Sequence, residues 1–299
     1  MSDKAAVMLL AHGTPDTLGE IPEYLKNVTG GRALPESVVE EIRHRYSLIG
    51  ASPLTRLTLE QGDLLAQKLG TPVYVGMRNW KPYIADTVRA VRADGVTKFA
   101  AICLAPQNSR TSVGLYRRAV FAETSDMRVD FTEAWADHPL LADAFAERLR
   151  EVRTPGTPVL FTAHSVPTRT LQATADAQAD HYADEAKRTA AMVAERVGLA
   201  NDEWVFAFQS QGQSGGEWIG PTVEETLTAL RARDVERVIV QPIGFLCDHV
   251  EILYDIDIGF RQFAADLGME LVRTKSLNDS PLLTAALADL ARQGLARLG

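Results

Sequence analysis

Two apolar runs in this chain end in side chains that can bind a metal ion or move protons. The first is Val159-Leu160-Phe161-Thr162-Ala163-His164-Ser165-Val166-Pro167. The second runs from Val238-Ile239-Val240 through Gly244-Phe245-Leu246-Cys247 to Asp248-His249-Val250-Glu251. Each reads as a buried strand that stops where polar residues begin. In an open parallel sheet the carboxyl ends of the strands line one crevice. A neutral imidazole and a carboxylate brought together there can hold a divalent metal or shuttle protons. Beyond Glu251 lies Asp255, and on a helix two residues four apart share a face. Carboxylates stacked that way repel unless a cation or a proton lies between them. The bland readings stand beside these: a strand-end histidine often serves structure, and an acidic helix start is favoured by the helix dipole.

A second set of candidates is basic. Gly30-Gly31-Arg32 precedes a predicted helix bearing Arg43, His44, Arg45 and Tyr46, followed by Gly50-Ala51-Ser52-Pro53-Leu54-Thr55-Arg56. Guanidinium groups beside a tyrosine and a serine suit carboxylate recognition, because arginine offers a planar fork to two oxygens. Surface pairing with Glu40 and Glu41 explains the same arginines equally well. No GxxxxGK[ST] is present, and the first strand ends in His12-Gly13-Thr14-Pro15 rather than GxGxxG. Nucleotide hydrolysis and dinucleotide binding are therefore not indicated. The glycine-rich stretch Gln211–Trp218 reads as a ligand-covering loop.

The elements that must position these groups repeat. Ala6–Pro15 resembles Pro158–Pro167, each an apolar strand followed by Ala-His-small-x-Pro. Pro82–Val96 aligns without gaps on Pro221–Val235, pairing Thr87 with Thr226 and Arg92 with Arg231. Proline at each start suits a helix N-terminus, and a strand lies on either side. Each half thus reads β-α-β-α-β, with crossovers that favour parallel strands. The predicted fold class is α/β: two similar Rossmann-like, doubly wound domains whose parallel sheets enclose a cleft. The expected domains are 1–150 and 151–299, joined near Glu151–Gly156, with the last helix free to pack back on the first domain.

Bulk properties agree with a globular chain. At 299 residues it is long enough for two domains, and 46% hydrophobic with 23% charged residues leaves little room for disorder. The formal charge of −8 argues against nucleic acid as a partner. Cys103 and Cys247 lie far apart in apolar runs, as buried reduced thiols do. No segment is apolar over the ~18 residues a membrane span needs, and the amino terminus has no signal-like run. A cytoplasmic location is expected.

Taken together, the segments resemble the ferrochelatase family over nearly the whole chain. The resemblance rests on Ala11-His12-Gly13-Thr14-Pro15, Arg45-Tyr46, Gly50–Leu54, Leu104-Ala105-Pro106, Thr162–Pro167 and Gln209-Ser210-Gln211-Gly212. Trp218-Ile219-Gly220-Pro221, Pro242–Phe245 and Asp248–Asp255 complete it. The compact length without a carboxyl-terminal cysteine cluster looks most like the bacterial coproporphyrin III ferrochelatases. The resemblance implies a chelatase-like fold and a lyase that inserts Fe²⁺ into a porphyrin in haem biosynthesis, with coproporphyrin III preferred over protoporphyrin IX. It places the catalytic and metal-binding roles on His164 and Glu251, expected to face each other across the macrocycle centre. It places porphyrin contacts on His12, Arg32, Arg45, Tyr46, Ser52 and Tyr116, with Asp255 as an outer metal position. Related enzymes often carry tyrosine, able to ligate the metalloporphyrin, where His12 stands, and an acidic residue where Gly259 stands. The resemblance implies no organic cofactor, with ferrous iron as substrate, a monomer, and a transient partner that accepts haem. The rival expectations are a cobalt or nickel chelatase of the sirohydrochlorin type and a non-catalytic tetrapyrrole-binding protein. A two-lobed solute-binding protein would share the architecture.

Overall fold

The computed structural model describes residues 4–173, 179–212 and 216–299. The first half contains β1 (Lys4–Ala11), α1 (Ile21–Val28), α2 (Glu36–Ile49), α3 (Leu54–Leu69), β2 (Val73–Met77), α4 (Ile84–Ala93), β3 (Val96–Cys103), α5 (Val113–Glu123), β4 (Arg128–Thr132) and α6 (Pro139–Val152). The second contains β5 (Val159–His164), α7 (Tyr182–Val197), β6 (Trp204–Gln209), α8 (Val223–Arg231), β7 (Arg237–Pro242), α9 (Val250–Leu253), α10 (Arg261–Asp266), β8 (Glu270–Arg273) and α11 (Pro281–Leu298). Between α9 and α10 the chain makes a π-helical segment, Asp255–Phe260.

Each half forms one four-stranded sheet, ordered β2-β1-β3-β4 and β6-β5-β7-β8, with every pairing parallel. The repeated sequence thus produces the same topology twice. β1 and β5 are apolar almost throughout and buried, because helices cover both faces of a doubly wound sheet. The helices after β2 and β6 begin at Ile84 and Val223, behind Tyr83 and Thr222 rather than at the prolines. Pro82 and Pro221 sit before the cap, and their carbonyls accept from Met77 and Phe208 at 2.7 and 2.8 Å. A peptide carbonyl placed there extends the strand ladder while the proline itself needs no donor partner.

The largest core joins the two sheets, since Val7 and Leu9 share one cluster with Phe145, Phe161 and Leu287. Helix α6 packs on α7, and Gln241 of β7 donates to the Phe145 carbonyl at 2.7 Å. Helix α11 lies on β1, β3 and β4. Each half therefore lends a helix to the other, and His138 ties the exchange. Its Nδ1 accepts from Leu140 N at 3.2 Å, and its Nε2 faces Asp289 of α11 at 3.0 Å. The effect is to fix the two sheets, and so the two rows of strand ends, relative to each other. Among the described residues no helix is long and apolar enough to cross a membrane. Both cysteines are buried and free, and burial pushes the Cys247 thiol up to about 12.

Candidate active site

The carboxyl ends of β1, β2, β3, β5 and β7 open onto one cavity of ≈ 440 Å³ between the halves. The first half lends His12, Tyr46, Arg78 and Tyr116 to its lining; the second lends His164, Trp218, Phe245 and Glu251. Its size falls within the ~300–1,000 Å³ usual for small-molecule sites.

His164 is the last residue of β5, in register with Gln209. Its Nδ1 makes a short hydrogen bond with the Ser165 carbonyl, so that nitrogen carries the hydrogen. In the neutral ring Nε2 is then a bare lone pair, and it points at Glu251 Oε2 3.6 Å away. His249 Nε2 lies 3.9 Å from the same oxygen, which is buried and has no hydrogen-bond partner among the described residues. Two acceptors facing each other at this distance repel, and a proton or a cation between them turns repulsion into binding. Burial by itself would raise the Glu251 carboxyl; the charge that His164, His249 and His12 can carry outweighs it and holds the group at about 2. Glu251 is therefore held as a carboxylate while a neighbouring imidazole carries a proton.

Backbone anchors place the pair. Tyr182 Oη donates to the His164 carbonyl at 2.9 Å, and Gln209 Nε2 donates to the Glu251 carbonyl at 3.1 Å. A Cβ at Gly244 would meet Ala163 Cβ at 2.9 Å, so only glycine lets the loop after β7 close onto the end of β5. Behind α9, Arg273 grips Asp257 with two bonds of 2.8 Å and reaches Asp248 at 3.3 Å. Asn278 completes this network on Asp248 at 2.9 Å. Such partners orient the groups that do chemistry.

The sequence-derived candidates divide. His12, Tyr46, Tyr116, His164 and Glu251 line the cavity. The expectation that His164 and Glu251 oppose each other across the macrocycle is corrected: 3.6 Å admits no ring between them, so they stand side by side. Both come from the second sheet, whose strand ends converge. Arg45 lies behind the wall, paired with Glu41, 3.7 Å from Asp255 and over the Tyr254 ring at 5.1 Å. Ser52 is buried with its hydroxyl unpartnered, whereas Arg32 is exposed and outside the lining. Asp255 accepts from Ser210 Oγ at 2.5 Å. Burial and the Glu251 charge push its carboxyl up to about 6, against the pull of Ser210 and Arg45. Asp257, next along, is committed to Arg273, and no third carboxylate extends the row past Gly259. Of the glycine-rich loop, residues 213–215 lie outside the described residues.

Sequence reasoning missed Tyr24, Arg78 and Asn79. Arg78 follows β2 directly, stacks over Tyr116 at 5.1 Å and has a buried Nε without a partner. A hint existed, because a strand was expected before the helix that follows Pro82, and residues past the carboxyl end of such a strand share the crevice. Among the described residues no group of three or more His, Cys, Asp or Glu side chains is close enough to hold an ion by itself.

Comparison with known proteins gives this geometry a family. The ferrochelatase family model matches residues 4–295. A ferrochelatase of Acidobacterium capsulatum is 62% identical over 316 aligned positions, covering 100% of this chain and 97% of that protein. A coproporphyrin III ferrochelatase of Geobacillus sp. (strain WCH70) is 29% identical, covering 95% and 96%. Among solved structures, the sirohydrochlorin chelatase SirB from Bacillus subtilis subspecies spizizenii, in complex with cobalt, superposes with a TM-score of 0.63. It is 11% identical, covers 98% of this chain and 96% of that one, and therefore speaks to the fold alone. The chain belongs to the ferrochelatase family, the enzymes that insert a metal ion into porphyrin.

Proposed function

We propose that this protein inserts Fe²⁺ into coproporphyrin III in preference to protoporphyrin IX, with His164 and Glu251 as the reacting pair. The observation that carries the reading is the buried, unpartnered Glu251 Oε2 set 3.6 Å from His164 Nε2 in the shared cavity. Metal insertion exchanges two pyrrole protons for one divalent ion and changes no bond to carbon. It needs no redox cofactor or nucleotide. It needs a base, a negative charge for the incoming cation, and a wall that holds the ring so that its nitrogens face both.

Glu251 supplies the charge, because its carboxylate stays ionised beside the histidines. His164 offers Nε2 as the base, with its Nδ1–H fixed by the Ser165 carbonyl. With both groups on one wall, iron approaches and protons leave from the same face of the macrocycle. The opposite wall, Tyr46, Tyr116 and the neutral ring of His12, presses on the other face. Binding energy there can tilt the pyrroles toward the transition state. Asp255, protonated below about 6, stands next to Glu251 and can relay the protons outward.

The preference for coproporphyrin rests on donors left free for additional carboxylates. Arg78 Nε, in the cavity lining, is buried without a hydrogen-bond partner among the described residues, whereas Arg45 Nε and Ser52 Oγ, also unpartnered there, lie outside that lining; an unmade hydrogen bond to a buried donor costs about 1–3 kcal/mol. A four-carboxylate porphyrin satisfies more such donors than a two-carboxylate one. Relatives at 29% identity are named for coproporphyrin III, while the one at 62% is named ferrochelatase without a stated porphyrin. The test is a steady-state comparison of the two porphyrins with anaerobic Fe²⁺. A kcat/KM for coproporphyrin III at least tenfold higher is expected, and equal values would reject the preference. Including sirohydrochlorin with Co²⁺ and Ni²⁺ decides against the related chelatase chemistry. The same reading places the enzyme in the cytoplasm as a monomer that passes haem to a partner, which size-exclusion and fractionation experiments test.

A further inference from the structure

His12 has both ring nitrogens engaged before any ligand arrives. Its Nε2 lies 2.9 Å from Asn79 Nδ2. An amide nitrogen only donates, so Nε2 is the unprotonated nitrogen. Nδ1 then carries the hydrogen and donates it to the Gly13 carbonyl at 3.0 Å, with the Tyr24 hydroxyl 3.3 Å from the same atom. Asn79 is itself held: its backbone N–H donates to the His12 carbonyl at 2.9 Å, and its carbonyl accepts from Asn27 Nδ2 at 3.2 Å. The turn that carries His12 is locked as well. Gly13 has φ of +84°, and a Cβ there would meet Trp80 at 2.8 Å. Burial, with the Arg78 charge beside it, takes the His12 ring down to about 4, so the ring is neutral.

We propose that Asn79 is a positioning residue that fixes His12 as its Nδ1–H tautomer and occupies its Nε2 lone pair, so that His12 shapes the cavity wall without becoming an axial ligand of the metalloporphyrin. This rests on the reading of the cavity as a porphyrin site. It separates two functions that one imidazole would otherwise confuse. A ring that packs against the macrocycle must not also hold the metal after insertion, since a strong axial bond delays product release. The lone pair left open toward metal is the one on His164.

The tautomer is measured on the ligand-free chain by long-range ¹H–¹⁵N correlation with ¹⁵N-histidine. Wild type is expected to show His12 as Nδ1–H. Asn79→Asp, which puts an acceptor where the donor stood while the Gly13 carbonyl still faces Nδ1, is expected to place a proton on Nε2. An Nε2–H wild type, or an Nε2 still unprotonated in Asn79→Asp, overturns the proposal. A second measurement adds ferric haem to wild type, His12→Ala, Asn79→Ala and the double variant, and records absorption. Wild type and His12→Ala are expected to give the same spectrum. Asn79→Ala is expected to gain a low-spin, imidazole-ligated band that the double variant lacks. An imidazole band in wild type that His12→Ala removes also overturns it. Haem that binds none of the four counts against the porphyrin reading, while the tautomer still decides the role of Asn79.

Discussion

His12 and His164 close equivalent strands of two matching sheets, within the same Ala-His-small-x-Pro pattern, yet they have been given opposite chemistry. Both donate Nδ1–H to a neighbouring carbonyl, Gly13 or Ser165. The difference lies entirely at Nε2. In the first half the residue that reaches it is Asn79, a neutral donor. In the second it is Glu251, a carboxylate whose Oε2 is buried. One ring is satisfied and neutral; the other is poised for a cation or a proton. A duplicated scaffold supplies two imidazoles in equivalent places, and the loops beyond the neighbouring strands decide which one faces a carboxylate.

That contrast can be broken from the reactive side first. His164→Ala is expected to lower insertion by about 10³-fold, within the range of general-base effects, while fluorescence quenching still reports porphyrin binding. Near-normal turnover would remove the assignment. Glu251→Gln keeps the shape but loses the charge, and a fall of roughly 10²-fold in kcat is expected, the same range applying. The two losses should not add in the double variant, because each group works only with the other; additive losses would show independent roles.

Asp255 sharpens the comparison, because the first half has no counterpart to this second carboxylate. Its folded value lies near 6, above the ordinary carboxylate range. The folded chain therefore binds more protons between about pH 4 and pH 6. The protonated form's contribution to stability is full below that window and is lost as pH rises through about 6. Asp255→Asn stays neutral, so at about pH 7 it is expected to exceed wild type by on the order of 2 kcal/mol in denaturant melts, converging below about pH 4. A constant difference across pH would reject the linkage. Arg45→Ala is expected to raise the porphyrin Kd by about tenfold, the equivalent of one charged hydrogen bond, with a smaller change in turnover of bound substrate. Unchanged affinity would exclude Arg45 from the carboxylate contacts. The smallest effect is expected for His12→Ala, with kcat within about fivefold of wild type and a stability loss of about 1–2 kcal/mol from the stranded Asn79 amide. A loss matching that of His164→Ala would erase the distinction between the two rings.

Much of the scaffold was legible. Apolar runs such as Ala6–Ala11 and Val159–Ala163 can only be strands buried on both faces, and the internal repeat doubled every inference drawn from one half. The fourth strand of each sheet was not. β4, Arg128–Thr132, alternates polar and apolar over only five residues, and β8, Glu270–Arg273, has two apolar residues between charges, so both are too short for periodicity to mark them. The helix after Asp248 was expected to be regular, and the π-helical turn at Asp255–Phe260 replaced it. That change in winding turns Asp257 toward Arg273.

The residue types at the strand ends, and so the availability of imidazole and carboxylate, were set by sequence alone, because the carboxyl end of a parallel strand faces the crevice whatever covers the sheet. Which nitrogen of each histidine is free, that Glu251 stands beside His164 and not opposite it, and that Arg45 turns to Asp255 were decided by tertiary structure. Those outcomes depend on contacts between residues 67 to 210 positions apart. No local pattern encodes them, since hydrogen bonding and charge coupling act over a few ångströms of space and not along the chain.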